Sequence, residues 1–296
     1  MKGIILAGGK GSRLYPMTMV VSKQLLPIYD KPLIYYPLSA LMIAEIREIL
    51  IISTPEDLPQ YKKLLGNGSH IGLEIEYAAQ MHPRGLADAF IIGETFIQKG
   101  AKIGCCLVLG DNVFYGNRFN SLINEAKSRV QEHGGAAIFG YPVSNPSEYG
   151  VVTINAQGKI ISIEEKPENP TSNYVIPGLY FYDNDVVEIA KSIKPSPRGE
   201  IEISAINEYY LNLGKLYVTL MGRGLTWLDT GSAERMAKAS VFVENIQGMQ
   251  GFYISCIEEI AWRKGFITTS QFSYLGQKLS MTDYGQYILN LVKENV

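Results

Sequence analysis

The chain has 296 residues, enough for one large α/β unit or two modest ones, and enough to bury a core without a disulfide or metal staple. Apolar residues make up 46% and charged residues 19%, with 27 Lys plus Arg against 29 Asp plus Glu and a formal net charge of −2. That balance excludes a broad nucleic-acid-binding coat and a solvating acidic tail, so any polyanion must be met by a few well-placed cations.

Cys105, Cys106 and Cys256 have no C-x-x-C spacing and read as core residues. His70, His82 and His133 form no H-E-x-x-H pattern, which argues against a zinc site. The opening MKGIILAGG is too short in apolar residues for a secretion signal or an anchor, and no later apolar run reaches the roughly 18 residues of a membrane span. The expectation is a reduced, cytoplasmic protein with no nucleic-acid and no membrane partner.

Short apolar runs alternating with helical stretches predict βαβ units around a mostly parallel sheet. Residues 3–6 form the first predicted strand, ending at Ala7-Gly8-Gly9. Pro32 opens a predicted helix over 32–46, with Pro37 kinking it. Strand 49–52, helix 57–65, strand 73–78 and helix 86–97 follow, and the most apolar strand, 103–109, stops at Gly110-Asp111-Asn112. From about residue 136 the pattern changes. Strands 136–141, 151–154, 160–164 and 179–182, with a turn at 155–159, predict an antiparallel or mixed sheet inserted into the core. Helices near 186–193 and 201–213 lead to strand 216–220, and the last sixty residues are mainly helical, with Ser232 capping the segment from Ala233. The fold class is therefore α/β: a Rossmann-like, mostly parallel sheet flanked by helices, carrying a smaller antiparallel or mixed sheet and a helical C-terminal layer.

The glycine-rich turn Gly8-Gly9-Lys10-Gly11-Ser12-Arg13-Leu14 follows the first strand, where backbone N–H groups and a basic side chain suit phosphate oxygens. It is not a P-loop, since no G-K-[ST] stands at the required offset. It also fails the dinucleotide fingerprint, because Leu14 occupies the third glycine position and Asp30 sits in a loop between Pro27 and Pro32, so a nicotinamide oxidoreductase is disfavoured. Lys23 follows a short loop later. Asp111 and Asp229 each end an apolar strand beside a glycine, the place where ligands gather in parallel sheets, and two carboxylates can share a Mg²⁺ with substrate phosphates. Glu164-Glu165-Lys166-Pro167 ends a strand with its lysine restrained by proline, and Pro197-Arg198-Gly199-Glu200 offers a second cation. Each piece alone also reads as a tight turn or a solvated charged edge. The 19 tyrosines, clustered as at Tyr35-Tyr36 and Tyr209-Tyr210, read as core and subunit-interface packing.

Taken together, these segments resemble the sugar-1-phosphate nucleotidyltransferases. The matching stretches are I-I-L-A-G-G-x-G-S-R-L-Y-P at 4–16, S-K-Q-L-L-P-I-Y-D-K-P at 22–32 and L-V-L-G-D-N-V-F-Y-G at 107–116. E-Y-G-V-V at 148–152, E-E-K-P, P-G-L-Y-F-Y-D at 177–183 and W-L-D-T-G complete them, in the family's order along nearly the whole chain. Within the family they point to the thymidylyltransferase branch. The resemblance implies condensation of dTTP with glucose 1-phosphate, dependent on Mg²⁺, as the first step of dTDP-rhamnose synthesis. It implies that Leu6, Gly8, Gly9, Gly11 and Asp111 hold the nucleotide, with Arg13 and Lys23 on its phosphates. Gln80 and the backbone of Gly85 would read the thymine edge, since a carboxamide's donor and acceptor match an imide. Asp111 and Asp229 would bind Mg²⁺. Tyr149, Gly150, Glu165, Lys166, Tyr180 and Arg198 would take the sugar phosphate, and Arg13, Lys23, Lys166 and Asp111 would carry the chemistry.

The same resemblance implies a homotetramer, a dimer of dimers, with a feedback nucleotide-sugar at a second site near Tyr115, Arg223 and Glu259. It divides the chain into a core at 1–240, with a nucleotide half at about 1–135 and a sugar-phosphate half at about 136–240, and a helical extension at 241–296. The sequence departs from the family pattern at Ala205, where relatives often carry an acid, and at Gly224-Leu225-Thr226-Trp227. The alternatives are the same chemistry with UTP, CTP or another hexose phosphate, and a non-catalytic homologue that only binds nucleotide-sugar.

Overall fold

A computed structural model describes residues 1–9, 11–100 and 104–294. The chain begins with β1 (Lys2–Leu6), a short hairpin of β2 (Pro27–Ile28) and β3 (Lys31–Pro32), α1 (Tyr35–Ile43), β4 (Glu48–Ser53) and α2 (Leu58–Leu65). Next come β5 (Glu74–Ala79), α3 (Asp88–Ile92), α4 (Glu94–Gln98), β6 (Cys105–Leu109), β7 (Asn112–Gly116) and α5 (Phe119–His133). β8 (Ala136–Pro142), β9 (Gly150–Ile154), β10 (Ile160–Glu165), β11 (Tyr174–Val175) and β12 (Leu179–Tyr182) follow. Then α6 (Val186–Ser192), α7 (Ile203–Asn212), β13 (Leu216–Leu220) and β14 (Leu225–Asp229) lead to the last four helices: α8 (Ala233–Gln250), α9 (Ile257–Arg263), α10 (Thr269–Lys278) and α11 (Asp283–Glu294).

One ten-stranded sheet runs in the order β10-β9-β11-β8-β12-β6-β1-β4-β5, with β13 also on β8. β1 is parallel to β4 and β6, and β4 to β5, with Leu6 level with Ile52 and Leu109. The carboxyl ends of these four strands therefore share one edge, where ligands collect in open α/β sheets. β12 enters antiparallel between β6 and β8, so the antiparallel strands continue the same sheet. Both faces of the parallel part are covered, which is why its strands read as unbroken apolar runs. Ile5, Ile49, Ile51 and Val108 feed one core, while Ile4, Leu50, Ile52 and Leu107 feed another, as alternate residues must.

The predicted strands match the observed ones to within two residues. Residue 103, the predicted start of the most apolar strand, lies outside the described residues, and β6 begins at Cys105. The predicted helix 32–46 is shorter, because Pro32 pairs in β3 and α1 starts at Tyr35. Pro37 does not kink it. It falls in the first turn, where its missing N–H removes no helical hydrogen bond, and α1 runs unbroken through it. The predicted helix 86–97 divides at Gly93 into α3 and α4. Helix α5, which buries Phe119, Leu122, Ile123, Ala126 and Val130 at helical spacing, has no counterpart among the predicted elements.

The capping role of Ser232 holds, since its side chain accepts the Arg235 amide at 3.2 Å. The C-terminal helices are tied to the body through Lys31, whose buried ammonium donates to Asp30 and to Gln247 Oε1 (3.1 Å). It lies 5.4 to 5.9 Å from the ring centroids of Tyr36, Tyr253 and Tyr284, and burial pushes its pKa down. Cys105, Cys106 and Cys256 are free and buried. Among the described residues, no helix is long and apolar enough to cross a membrane.

Candidate active site

Three cavities lie along the carboxyl edge of the sheet and share lining residues. The first, about 480 Å³, is bordered by Gly9, Gln80, Pro83 and the exposed loop residues Tyr15, Met19 and Val20. The second, about 280 Å³, is lined by Gly8, Gly9, Gly11, Arg13, Lys23, Asp111 and Asp229. The third, about 190 Å³, is lined by Tyr149, Gly150, Glu165, Lys166 and Tyr180, and again by Arg13, Asp111 and Asp229. Gly9 joins the first to the second, and the two aspartates with Arg13 join the second to the third.

The glycine turn gives the second cavity its backbone wall. Gly9 and Gly11 adopt φ of +99° and +59°, which bulkier residues resist, and the Gly11 carbonyl accepts from Thr18 Oγ1 at 2.7 Å. Arg13 is exposed and has no ion-pair partner among the described residues. Lys23 is buried and donates to Asp111 Oδ2 at 2.6 Å. Leu6 is buried, does not line the three cavities, and accepts the Gly110 amide at 2.9 Å, so it shapes the turn before Asp111.

Asp111 and Asp229 meet because β14 pairs antiparallel with β7, placing Asp229 opposite Asn112. Thr230 fixes the pair further, its amide and hydroxyl both donating to the Asp111 carbonyl (3.2 and 2.9 Å). Burial, then the neighbouring charge of Asp111, push the Asp229 carboxyl above the usual range. Two carboxylates facing one cavity, with cations already drawn to both, form an all-oxygen donor set. Among the described residues no cluster of three or more His, Cys, Asp or Glu is able to hold a metal. The Asp111–Asp229 pair by itself is the donor set Mg²⁺ uses when substrate phosphates and water supply the rest of its shell, so the residues present fit it.

The sugar-side wall is set by hairpin register. Gly150 faces Glu165 in the β9–β10 pair, and the Lys166 amide donates to the Tyr149 carbonyl at 3.0 Å, so four of the expected residues converge. Lys166 has φ of +45°, an uncommon conformation for a side-chain-bearing residue and one that recurs where geometry serves a site. Tyr149 donates to Asp229 Oδ2 at 3.3 Å, and burial with the Asp229 charge pushes its phenol up to about 12. Arg198 does not line the cavity. It is held by Glu202 at 2.9 Å and stands 3.7 Å from Glu165.

Gln80 is buried, its Nε2 donating to Asp88 Oδ2 at 3.1 Å while its Oε1 lies beside Gly8. Gly85 does not line the cavities either. Its φ is +99°, and a Cβ there would meet the Ile201 carbonyl at 2.5 Å, so only glycine fits between the nucleotide-side loop and the segment before α7. Tyr115 and Glu259 line a separate groove of about 360 Å³, which also includes Tyr253, Ile260 and Arg263. Arg223 is exposed before β14 and is not brought into that groove.

Asn112, Glu148 and Arg235 join the site without being among the predicted site residues. Asn112 Nδ2 donates to Asp111 Oδ1 (2.8 Å), while its Oδ1 accepts Trp227 Nε1 (2.6 Å) and the Gly178 amide (3.0 Å). Arg235 donates to Asp229 Oδ2 at 2.7 Å and to Glu148. Asn112 and Glu148 stand inside quoted motifs, so their position was available, but Trp227, Gly178 and Arg235, which they meet, lie far along the chain.

The Nucleotidyl transferase family model matches residues 2–246. A glucose-1-phosphate thymidylyltransferase of Neisseria meningitidis serogroup A is 53% identical over 294 residues, covering 99% of this chain and 100% of that one. The chain belongs to the nucleotidyl transferase family. A second relative of the same name, from Mycobacterium tuberculosis, is 52% identical over 295 residues and all of both chains. A crystal structure from Bacillus anthracis, described as a candidate glucose-1-phosphate thymidylyltransferase in complex with sucrose, superposes with a TM-score of 0.75 at 37% identity. It covers 82% of this chain and 94% of that one. Nucleotidyl transferases of this family are generally dependent on a divalent metal.

Proposed function

We propose that the chain condenses dTTP with glucose 1-phosphate to dTDP-glucose and pyrophosphate. One observation carries the reading: a nucleotide-side and a sugar-side cavity meet at Asp111, Asp229 and Arg13. The choice of substrates rests on relatives that bear this name at 52% and 53% identity over almost their whole length.

An oxygen of the sugar phosphate attacks the α-phosphorus of dTTP, the bond to the β-phosphate oxygen breaks, and pyrophosphate leaves. The attacking oxygen is already ionised at neutral pH, so no general base is required. The obstacle is repulsion between two polyanions, and catalysis is mostly positioning and charge neutralisation. Leu6, Gly8, Gly9 and Gly11 shape the phosphate turn, and Arg13 and Lys23 offset the charge of the departing pyrophosphate. Gln80, oriented by Asp88, and the Gly85 backbone read the thymine edge. Tyr149, Gly150, Glu165 and Tyr180 pack the sugar and Lys166 meets its phosphate, which Arg198 reaches only by leaving Glu202. Asp111 and Asp229 hold Mg²⁺, which supplies charge neutralisation at the α-phosphoryl group when bound. In this reading residues up to about 135 serve the nucleotide, residues 136–240 serve the sugar phosphate, and 241–296 form the helical extension.

The test is pyrophosphate release from dTTP and glucose 1-phosphate, with and without Mg²⁺, beside UTP, CTP and other hexose 1-phosphates. Mg²⁺-dependent release with dTTP and glucose 1-phosphate leading the series is expected. A preference for another nucleotide corrects the substrate, and binding of dTDP-glucose without any release makes the chain a non-catalytic homologue.

The groove holding Tyr115 and Glu259 is proposed as a second, regulatory nucleotide-sugar site in a homotetramer. Binding of a dTDP-sugar that survives Asp111→Asn and fails in Tyr115→Ala supports it, and light scattering reads the subunit number.

A further inference from the structure

Arg235 is the third residue of α8, in the first turn, where a cation opposes the helix dipole. It is held there by two acids from different parts of the chain. Nη1 donates to Asp229 Oδ2 at 2.7 Å, and Nη2 donates to Glu148, next to Tyr149 at the rim of the sugar-side cavity. The guanidinium also lies over the Tyr149 ring, 5.7 Å from its centroid, while the Tyr149 hydroxyl donates to the same Asp229 oxygen at 3.3 Å. A lone exposed ion pair contributes little, but a planar fork that spans two carboxylates and covers an aromatic face constrains all three. Among the described residues, no hydrogen bond is made to Asp229 Oδ1, and Asp229 lines both cavities that meet at Asp111.

We propose that Arg235 is a positioning residue that fixes Asp229 through Oδ2, leaves Oδ1 for a divalent cation, and couples that carboxylate to the Glu148–Tyr149 corner of the sugar-side cavity. Hydrogen-bond partners behind a metal-binding carboxylate set its orientation, and their loss commonly weakens metal binding 10- to 100-fold. Glu148 is the outer anchor of the same fork. Its removal leaves the Arg235–Asp229 contact in place, so the effect there is smaller. The inference rests on Asp229 being a metal carboxylate, and the test separates the two ideas.

The probe is Mn²⁺ alone, titrated into nucleotide-free full-length protein and followed by the paramagnetic resonance of the free ion. Asp229→Asn establishes the site: undiminished Mn²⁺ binding in that variant removes the metal assignment and the inference with it. With that control satisfied, Arg235→Gln is expected to weaken Mn²⁺ roughly 10- to 100-fold. Arg235→Lys should recover part of the loss, and Glu148→Gln should weaken binding only a few-fold. In turnover, Arg235→Gln should raise the KM for glucose 1-phosphate more than that for dTTP. Equal or tighter Mn²⁺ binding in Arg235→Gln would overturn the inference, making the guanidinium a competitor of the cation or a surface pair, while leaving Asp229 as a metal carboxylate. Circular dichroism checks each fold, and Arg235→Lys serves as the informative variant if the glutamine does not fold.

Discussion

Lys23 and Asp111 stand 88 residues apart in the chain and are joined by a 2.6 Å ammonium–carboxylate hydrogen bond. Lys23 belongs to the short helical turn Lys23–Leu25, and Asp111 to the turn between β6 and β7, so the pair ties two loops at the centre of the cleft. Each Asp111 oxygen therefore holds one donor, with Asn112 on the second at 2.8 Å. A divalent cation entering here competes with the Lys23 ammonium for the carboxylate, while a phosphate gains that ammonium as a partner.

Lys23→Met and Asp111→Asn should each lower turnover by about 10² to 10³, the usual effect of removing one contact to transition-state charge. Steady-state pyrophosphate release measures it. Near-normal rates in both variants would remove these residues from the chemistry.

Lys166 separates activity from stability. Its side chain is 42% exposed, so Lys166→Ala should reduce turnover by about 10² or more with little change in Tm. Because its φ is +45°, Lys166→Gly relieves backbone strain and should unfold at a slightly higher temperature than Lys166→Ala while being equally inactive. Scanning calorimetry beside the rate assay reads both; a glycine variant less stable than the alanine one would contradict the strain argument.

Asn112→Ala leaves Trp227 Nε1 and the Gly178 amide without their buried acceptor. An orphaned buried donor costs about 1–3 kcal/mol, so the variant should lose several degrees in Tm as well as activity, through the freed Asp111. An unchanged Tm would show that solvent reaches both donors.

Glu258 is buried, and burial pushes its carboxyl above the ordinary value of 4.5 despite the hydrogen bond from Tyr284 (2.6 Å) and the nearby charge of Lys31. Between the unfolded value and the raised folded one, the folded chain keeps a proton that the unfolded chain has lost. This group's contribution to stability is therefore full at pH below 4.5 and falls as pH rises through that window. Glu258→Gln lacks this slope. Its Tm relative to the parent should improve from pH 4 to pH 8, and a constant difference across that range would refute the shift.

The parallel strands were legible because a sheet covered on both faces writes itself as continuous apolar runs, as at residues 3–6 and 105–109. The sugar-side hairpin was legible through its turn residues, and Ser232 through its capping chemistry. Helix α5 was missed although its apolar residues recur at helical spacing, because its many polar residues dilute the run. The kink assigned to Pro37 failed because the helix starts three residues later than predicted, which moves the proline into the first turn. At the site, motif residues could be named, but not their partners. Asp111 meets Lys23, and Asp229 meets Tyr149, only after segments far apart in sequence have come together, whereas Arg235 reaches Asp229 across the turn into α8. Arg235 sits in no glycine turn or strand end, so nothing local marks it.

The course of β12 bears on how two substrates meet. Tyr180 is level with Leu107 of β6, and Phe181 with both Cys106 and Ala137, so the strand is stitched along each edge. Among the described residues, the two cavities that meet at Asp111 and Asp229 are therefore carried by one continuous hydrogen-bonded sheet. The exposed Tyr15, Met19 and Val20 border the first cavity from a loop outside that sheet.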